Sequence, residues 1–187
     1  NQQIANIKID TYLKPINIKN AINANIKNDV YINSCEIVDD TFNSRFDASS
    51  RDYIYIISNH FNPIKRNNVW HVDGLSFKVD LLNKIAKCLI GENDFSTFCK
   101  QNSLRENNQC DIFYSKWSVD KKQLYFSIKG NRFLHHMVRY LVGTMISVVT
   151  GKLDLKTFKD LFYNKQISNL VIKAPAHGLY LNKIYYE

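Results

Sequence analysis

Arg139 is the residue whose setting most needs a chemical explanation. It lies in Asn131-Arg132-Phe133-Leu134-His135-His136-Met137-Val138-Arg139-Tyr140-Leu141-Val142-Gly143, where Phe133, Leu134, Met137, Val138, Leu141 and Val142 form a broad apolar surface suited to a core. A guanidinium on such a helix is costly to bury unless it meets a carboxylate or phosphate. Gly143, one turn on, leaves room for another backbone or a ligand at that face. The alternative is a rim arginine whose stem covers the core while its head reaches water. His136 precedes Arg139 by three residues, so on a helix the two share a face and either contact phosphates or are simply solvated. His135 and His136 are adjacent and on a helix point in different directions. No Cys or carboxylate follows at i+3 or i+4, so the segment does not read as a metal site.

A second segment, Arg45-Phe46-Asp47-Ala48-Ser49-Ser50-Arg51-Asp52-Tyr53-Ile54-Tyr55, is a basic, hydroxyl-rich loop running into an aromatic strand. Arginine and serine can grip phosphates while an exposed tyrosine stacks on an unpaired base. On pattern alone, Tyr53 and Tyr55 read equally well as cross-strand core aromatics. The candidate RNA contacts are Arg45, Arg51, Arg132 and His136. No serine-hydrolase elbow, zinc-protease helix, phosphate-binding loop or dinucleotide fingerprint occurs. The four cysteines (Cys35, Cys88, Cys99, Cys110) form no CxxC pair and have no histidine at zinc-finger spacing, so they read as buried or half-buried thiols of a reducing, cytoplasmic setting.

These residues need a scaffold, and the composition supplies one. The 187 residues are 45% hydrophobic and 13% aromatic, which excludes a disordered chain and a coiled coil. The formal charge of +8 points to a polyanion, either nucleic acid or an anionic membrane surface. No apolar run reaches the ~18 residues of a membrane span, and the N-terminus lacks the order of a signal peptide.

With 6 Gly and 3 Pro, no linker and no repeat, the chain reads as one continuous domain. An amphipathic helix follows Pro15. Strands are expected at Val30–Val38, Asp52–Ser58, Asp111–Ser118, Gln123–Lys129 and Leu179–Tyr186. Helices are expected at Asp80–Ile90, closed by Gly91, at Phe133–Thr150, stopped by Gly151, and at Leu155–Asn164. Without regular βαβ alternation, the class is α+β with a mainly antiparallel sheet flanked by helices.

Four stretches, in this order, resemble the TruA family of tRNA pseudouridine synthases. Ser44–Tyr55 is similar to A-R-F-S-A-x-x-[RK]-x-Y-x-Y. Leu89–Phe98 is similar to L-x-G-x-H-D-F-x-x-F, with Asn93 in place of the usual His. Phe133–Gly143 is similar to F-L-x-x-M-V-R-x-x-V-G, and Ala174–Leu181 to A-P-x-x-G-L-x-L. The resemblance implies a pseudouridine-synthase-like fold and an isomerase acting on uridines of the tRNA anticodon stem-loop, without metal or organic cofactor, as a homodimer. It implies that Tyr53 stacks on the flipped-out uracil and that Arg139 pairs with the catalytic aspartate. The basic surface would then grip tRNA by shape and phosphates.

The family nucleophile is the Asp of G-R-T-D-[AS]-G, a motif this sequence does not contain. Its opening, Gln3–Asp10, looks like the strand that follows that motif. The expectation is therefore that residues 1–187 are the catalytic and C-terminal portion of such an enzyme, without turnover by themselves. The competing reading is a non-catalytic basic RNA-binding module related to the family.

Overall fold

The computed structural model describes residues 3–26, 29–164 and 168–186. The chain divides into two compact units, Ile4–Ala48 and the part from Ser49 onward.

Among its described residues the first unit holds one helix, α1 (Pro15–Asn25), with Pro15 at its first turn as the sequence predicts. The strand expected at Val30–Val38 does not form. Its alternating pattern has no partner strand; instead Asn23 fastens the segment, donating from Nδ2 to the Ile32 carbonyl at 3.0 Å and accepting the Ile32 N–H at 2.8 Å. Side-chain amides replace a ladder here, in line with the Asn-rich composition.

Among the described residues, the second unit is a six-stranded sheet with three α-helices. Its strands are β1 (Ala48–Ser58), β2 (Trp70–His71), β3 (Gly91–Asp94), β4 (Gln109–Asp120), β5 (Gln123–Gly130) and β6 (Leu179–Tyr186). The order is β2-β1-β5-β4-β3, with β6 also paired to β1. The β1–β5, β5–β4 and β4–β3 pairings are antiparallel, and the short β1–β2 pairing is parallel. The α+β class with a mainly antiparallel sheet is thus the observed one.

One face of the sheet is core. Tyr55 and Ile57 of β1, Leu124, Phe126 and Ile128 of β5, and Ile112 and Trp117 of β4 are buried on it. Ile112 and Trp117 differ in parity, so an uninterrupted β4 could not point both inward. A bulge between Ile112 and Tyr114 inserts one residue and restores the inward set.

The helices α2 (Val79–Lys87), α3 (Met137–Val149) and α4 (Leu155–Tyr163) pack in this unit. All of α3 is buried except Arg139 and Tyr140. A helix apolar on every side belongs at the centre of a core, and Trp117 reaches it, its Nε1 lying 3.4 Å from the Met145 sulfur.

Two helix boundaries depart from expectation. Helix α2 ends at Lys87 and Gly91 is not its cap; Gly91, with φ +92°, opens β3 instead. Helix α3 begins at Met137, four residues later than its apolar pattern suggests, because His136 adopts a left-handed conformation with φ +65°. The cysteines are free thiols, and burial pushes Cys110 up to about 11, which leaves it unreactive.

Candidate active site

Strand β1, the turn before α3 and the start of β6 surround an open depression of about 280 Å³, lined by Tyr53, the run 133–139 and Leu179. Each wall has a local cause. Tyr53 lies on the same face of β1 as buried Tyr55 and Ile57, but nearer the end of the core, where it stays half-buried. Phe133 meets its ring edge-on at 5.1 Å, so one side of the tyrosine is held against protein. Burial raises the Tyr53 phenol above its ordinary value, with Arg51 opposing, so the phenol is neutral at physiological pH.

The turn before α3 is tied down at three points. Lys100 N–H donates to the His135 carbonyl at 3.0 Å, Met137 N–H to the Leu134 carbonyl at 3.0 Å, and Tyr140 N–H to the His136 carbonyl at 3.0 Å. A non-glycine residue at positive φ is uncommon, and such positions cluster at functional sites. The conformation stacks the His135 and His136 rings with centroids 4.0 Å apart, so the two histidines do not diverge as they would on a helix. It also leaves His136 Nδ1 3.5 Å from an Arg139 Nη. The proximity expected of His136 and Arg139 is therefore real, although His136 reaches it from outside the helix.

Arg139 donates from Nε to the Ala174 carbonyl at 2.8 Å. No carboxylate among the described residues bonds to it, and none lines the depression. Its fork is thus anchored at one end and faces the depression with the other. Gly143 makes the anchor possible: a Cβ there would lie 2.2 Å from the Ile172 carbonyl oxygen and 2.8 Å from the Ala174 nitrogen. The loop presses directly on α3, and its next carbonyl, that of Pro175, accepts the buried Tyr55 hydroxyl at 2.7 Å. Gly178 closes the loop, since a Cβ there would lie 2.7 Å from the Tyr55 ring.

Desolvation is the largest cause lowering the His136 pKa, followed by the positive surroundings of His135, Arg139, Lys173 and Lys100. The unfolded chain therefore takes up a proton before the folded one does. This group's effect on stability is absent well above its unfolded value near ~6.5, and acidification below that value destabilises the fold until His136 itself protonates. Proton NMR titration of the His136 ring should give a midpoint below that of a free histidine; a midpoint at or above it contradicts this electrostatic picture.

Tyr53, His136 and Arg139 are thus brought together. Arg51 and Arg132 are not among the lining residues. Arg51 donates from Nη1 to the Asn131 carbonyl at 2.8 Å and so braces the segment that enters the site. Half-buried Arg132 lies near the Cys110 thiol, where it partly offsets the burial that raises that pKa. Arg45, exposed in the first unit, lies 5.5 Å from the Phe46 ring. Phe133, Leu179, Lys173, Lys100 and the Ala174 carbonyl complete the site. Phe133 reads from the sequence as core and Leu179 as the start of a strand, while Lys100, Lys173 and the Ala174 carbonyl reach the site only through tertiary proximity.

The same residues fall within a match to known proteins. The family profile described as tRNA pseudouridine synthase covers residues 85–187. The tRNA pseudouridine synthase A of Brachyspira hyodysenteriae is 32% identical over 190 residues, covering 99% of this chain and 76% of that protein. The chain belongs to the tRNA pseudouridine synthase family. The tRNA pseudouridine synthases A of Borrelia turicatae, 36% identical over 97% of this chain and 74% of theirs, and of Thermosipho melanesiensis, 34% identical over 100% and 77%, agree. The four sequence stretches that resembled the family map onto β1, β3 with its flanks, the turn into α3, and the loop into β6. Three of the four meet at the depression. The exception is the second, which contains Asn93, whose amide donates to the carbonyl of Gly91 at 3.2 Å and so folds the turn into β3.

Proposed function

We propose that this chain is the catalytic and C-terminal portion of an enzyme that isomerises uridine to pseudouridine in the anticodon stem-loop of tRNA. The observation that carries the reading is the Arg139 guanidinium, fixed by the Ala174 carbonyl at the mouth of a depression walled by Tyr53 and His136. The reaction breaks the bond between the ribose C1′ and N1 of uracil and joins C1′ to C5, with C5 losing its hydrogen and N1 gaining one. Such chemistry requires the base to leave its stack and be held on an apolar face. Tyr53, held from the side by Phe133, supplies that face.

In this reading Arg139 pairs with and orients an ionised carboxylate, a role that suits a bidentate planar cation better than a point charge. Neither the lining of the depression nor any G-R-T-D-[AS]-G in the sequence provides that carboxylate within residues 1–187. The charge of +8 supports a tRNA partner held through phosphates. A homodimeric, cytoplasmic enzyme belongs to the same proposal and rests on the family resemblance. No helix among the described residues is long and apolar enough to cross a membrane.

The test is release of tritium from C5 of labelled uridines in tRNA. The gene product is expected to release it, residues 1–187 alone are not, and Tyr53→Phe in the gene product should slow release while leaving the fold intact. Turnover by residues 1–187 alone would overturn the assignment of the nucleophile. A gene product that binds tRNA but releases no tritium would favour the non-catalytic RNA-binding module.

A further inference from the structure

A second concavity, of about 230 Å³, lies at the far end of β1, where Ser58 and His71 meet the β4–β5 turn and the 3₁₀ turn Pro63–Lys65. Four cations converge on it, Lys65, Arg66, Lys121 and Lys122, and no carboxylate lines it. Phe61 stands at its wall, 63% exposed and edge-on to His71 at 5.5 Å.

Two features here go against the fold's own interest. Lys121 and Lys122 form the two-residue turn between the paired residues Asp120 and Gln123, with φ +46° and +65°. That geometry favours Asn-Gly, and lysine at both positions is strained. Gathering like charges around one small concavity also opposes folding unless an anion offsets it. Local rules broken together at one place are expected where function demands them.

We propose that this concavity binds backbone phosphates of the RNA substrate, with Lys121 and Lys122 as phosphate ligands and the exposed Phe61 ring stacking on an adjoining nucleoside. The proposal rests on the reading that the chain acts on tRNA. Tyr53 and Ser58 are five residues apart on β1, about 17 Å. A stem whose target uridine sits at Tyr53 can therefore place phosphates a few base pairs away at this second site.

The experiment measures tRNA affinity of the chain against salt concentration. The double variant Lys121→Asn, Lys122→Gly adopts the turn's preferred sequence, so its thermal midpoint should hold or rise. Its slope of log affinity against log salt should be shallower by about 1.5, roughly thirtyfold weaker binding at 0.1 M salt when the curves converge at 1 M. Phe61→Leu should weaken binding equally at all salt concentrations, without a change of slope. A wild-type slope in the double variant overturns the proposal while a steep wild-type slope leaves the tRNA reading standing. No salt-dependent tRNA binding by the wild-type chain overturns both. Inorganic phosphate is titrated in parallel by calorimetry. Submillimolar binding lost in the double variant, with the tRNA slope unchanged, would assign the concavity to a free anion and overturn the proposal.

Discussion

Gly143→Ala is expected to lower the stability of the chain by about 3 kcal/mol or more, shifting the thermal midpoint down by roughly 6–12 °C. Two effects of opposite sign compete. Alanine inside a helix normally gains about 0.5–1 kcal/mol over glycine. Against this, the new methyl would lie 2.2 Å from the Ile172 carbonyl oxygen, 2.8 Å from the Ala174 nitrogen and 2.9 Å from the Ile172 carbonyl carbon, all backbone atoms. Rotation of a side chain cannot relieve that clash, so the loop must lift away from α3. Three bonds then suffer: Thr144 Oγ1 loses the Ile172 N–H it accepts at 3.1 Å, the Arg139 carbonyl loses the Ala174 N–H at 3.0 Å, and Arg139 Nε loses the Ala174 carbonyl. Differential scanning calorimetry of the two chains decides the sign. An unchanged or raised midpoint would mean that the loop moves freely and does not anchor the arginine.

Arg139→Ala should reduce turnover of the gene product by about 10²–10³-fold, the range seen when one preorganised electrostatic donor is removed from an active site. On the proposed role of Arg139 at the reacting centre, the loss should fall mainly on kcat. Stability should change little: Arg139 is half-buried and gives up a single hydrogen bond to a backbone carbonyl, worth about 1 kcal/mol. Arg139→Lys should recover only a small part of the rate, since an ammonium cannot hold the Ala174 carbonyl and present a planar fork at the same time. Turnover within about threefold of wild type in Arg139→Ala, measured by tritium release, would remove Arg139 from the catalytic machinery; a factor of three is under 1 kcal/mol of barrier.

The fold class, the long strands and the helices of the second unit were legible because burial leaves a period in the sequence. Strand β5 alternates its buried and half-buried residues along its whole length, and α3 is apolar all round. What was not legible depended on single residues overriding that period. His136 terminates the helical pattern at φ +65° although the residues before it are as apolar as those after. The segment at Val30–Val38 has strand composition but no partner edge, so its pattern was never cashed in as a ladder. Strands β2 and β3, of two and four residues, are too short to carry a period at all. In the site, Arg139 was readable as a charge out of place on an apolar helix, whereas Tyr53 fits a core strand equally well and was singled out only by the family resemblance. The Ala174 carbonyl was not readable, because a backbone acceptor has no signature in the side-chain sequence.

The position of β6 has a consequence for how the molecule is made. Strand β1 is completed by contacts from the opposite end of the chain: Ser49 donates its hydroxyl to the Tyr185 carbonyl at 3.2 Å, and Asn182 its amide to Asp52 at 2.8 Å. The loop that anchors Arg139 and Tyr55 immediately precedes that strand. A nascent chain emerging from the ribosome thus carries Tyr53 and Arg139 into solution before either has its support, and the closing contacts span some of the longest sequence separations in the fold. The depression takes shape only when the segment from Ala174 to Leu179 has been synthesised and docked. Translation that stops short of Ala174 therefore yields a polypeptide that has Tyr53 and Arg139 but lacks the carbonyl that fixes the arginine.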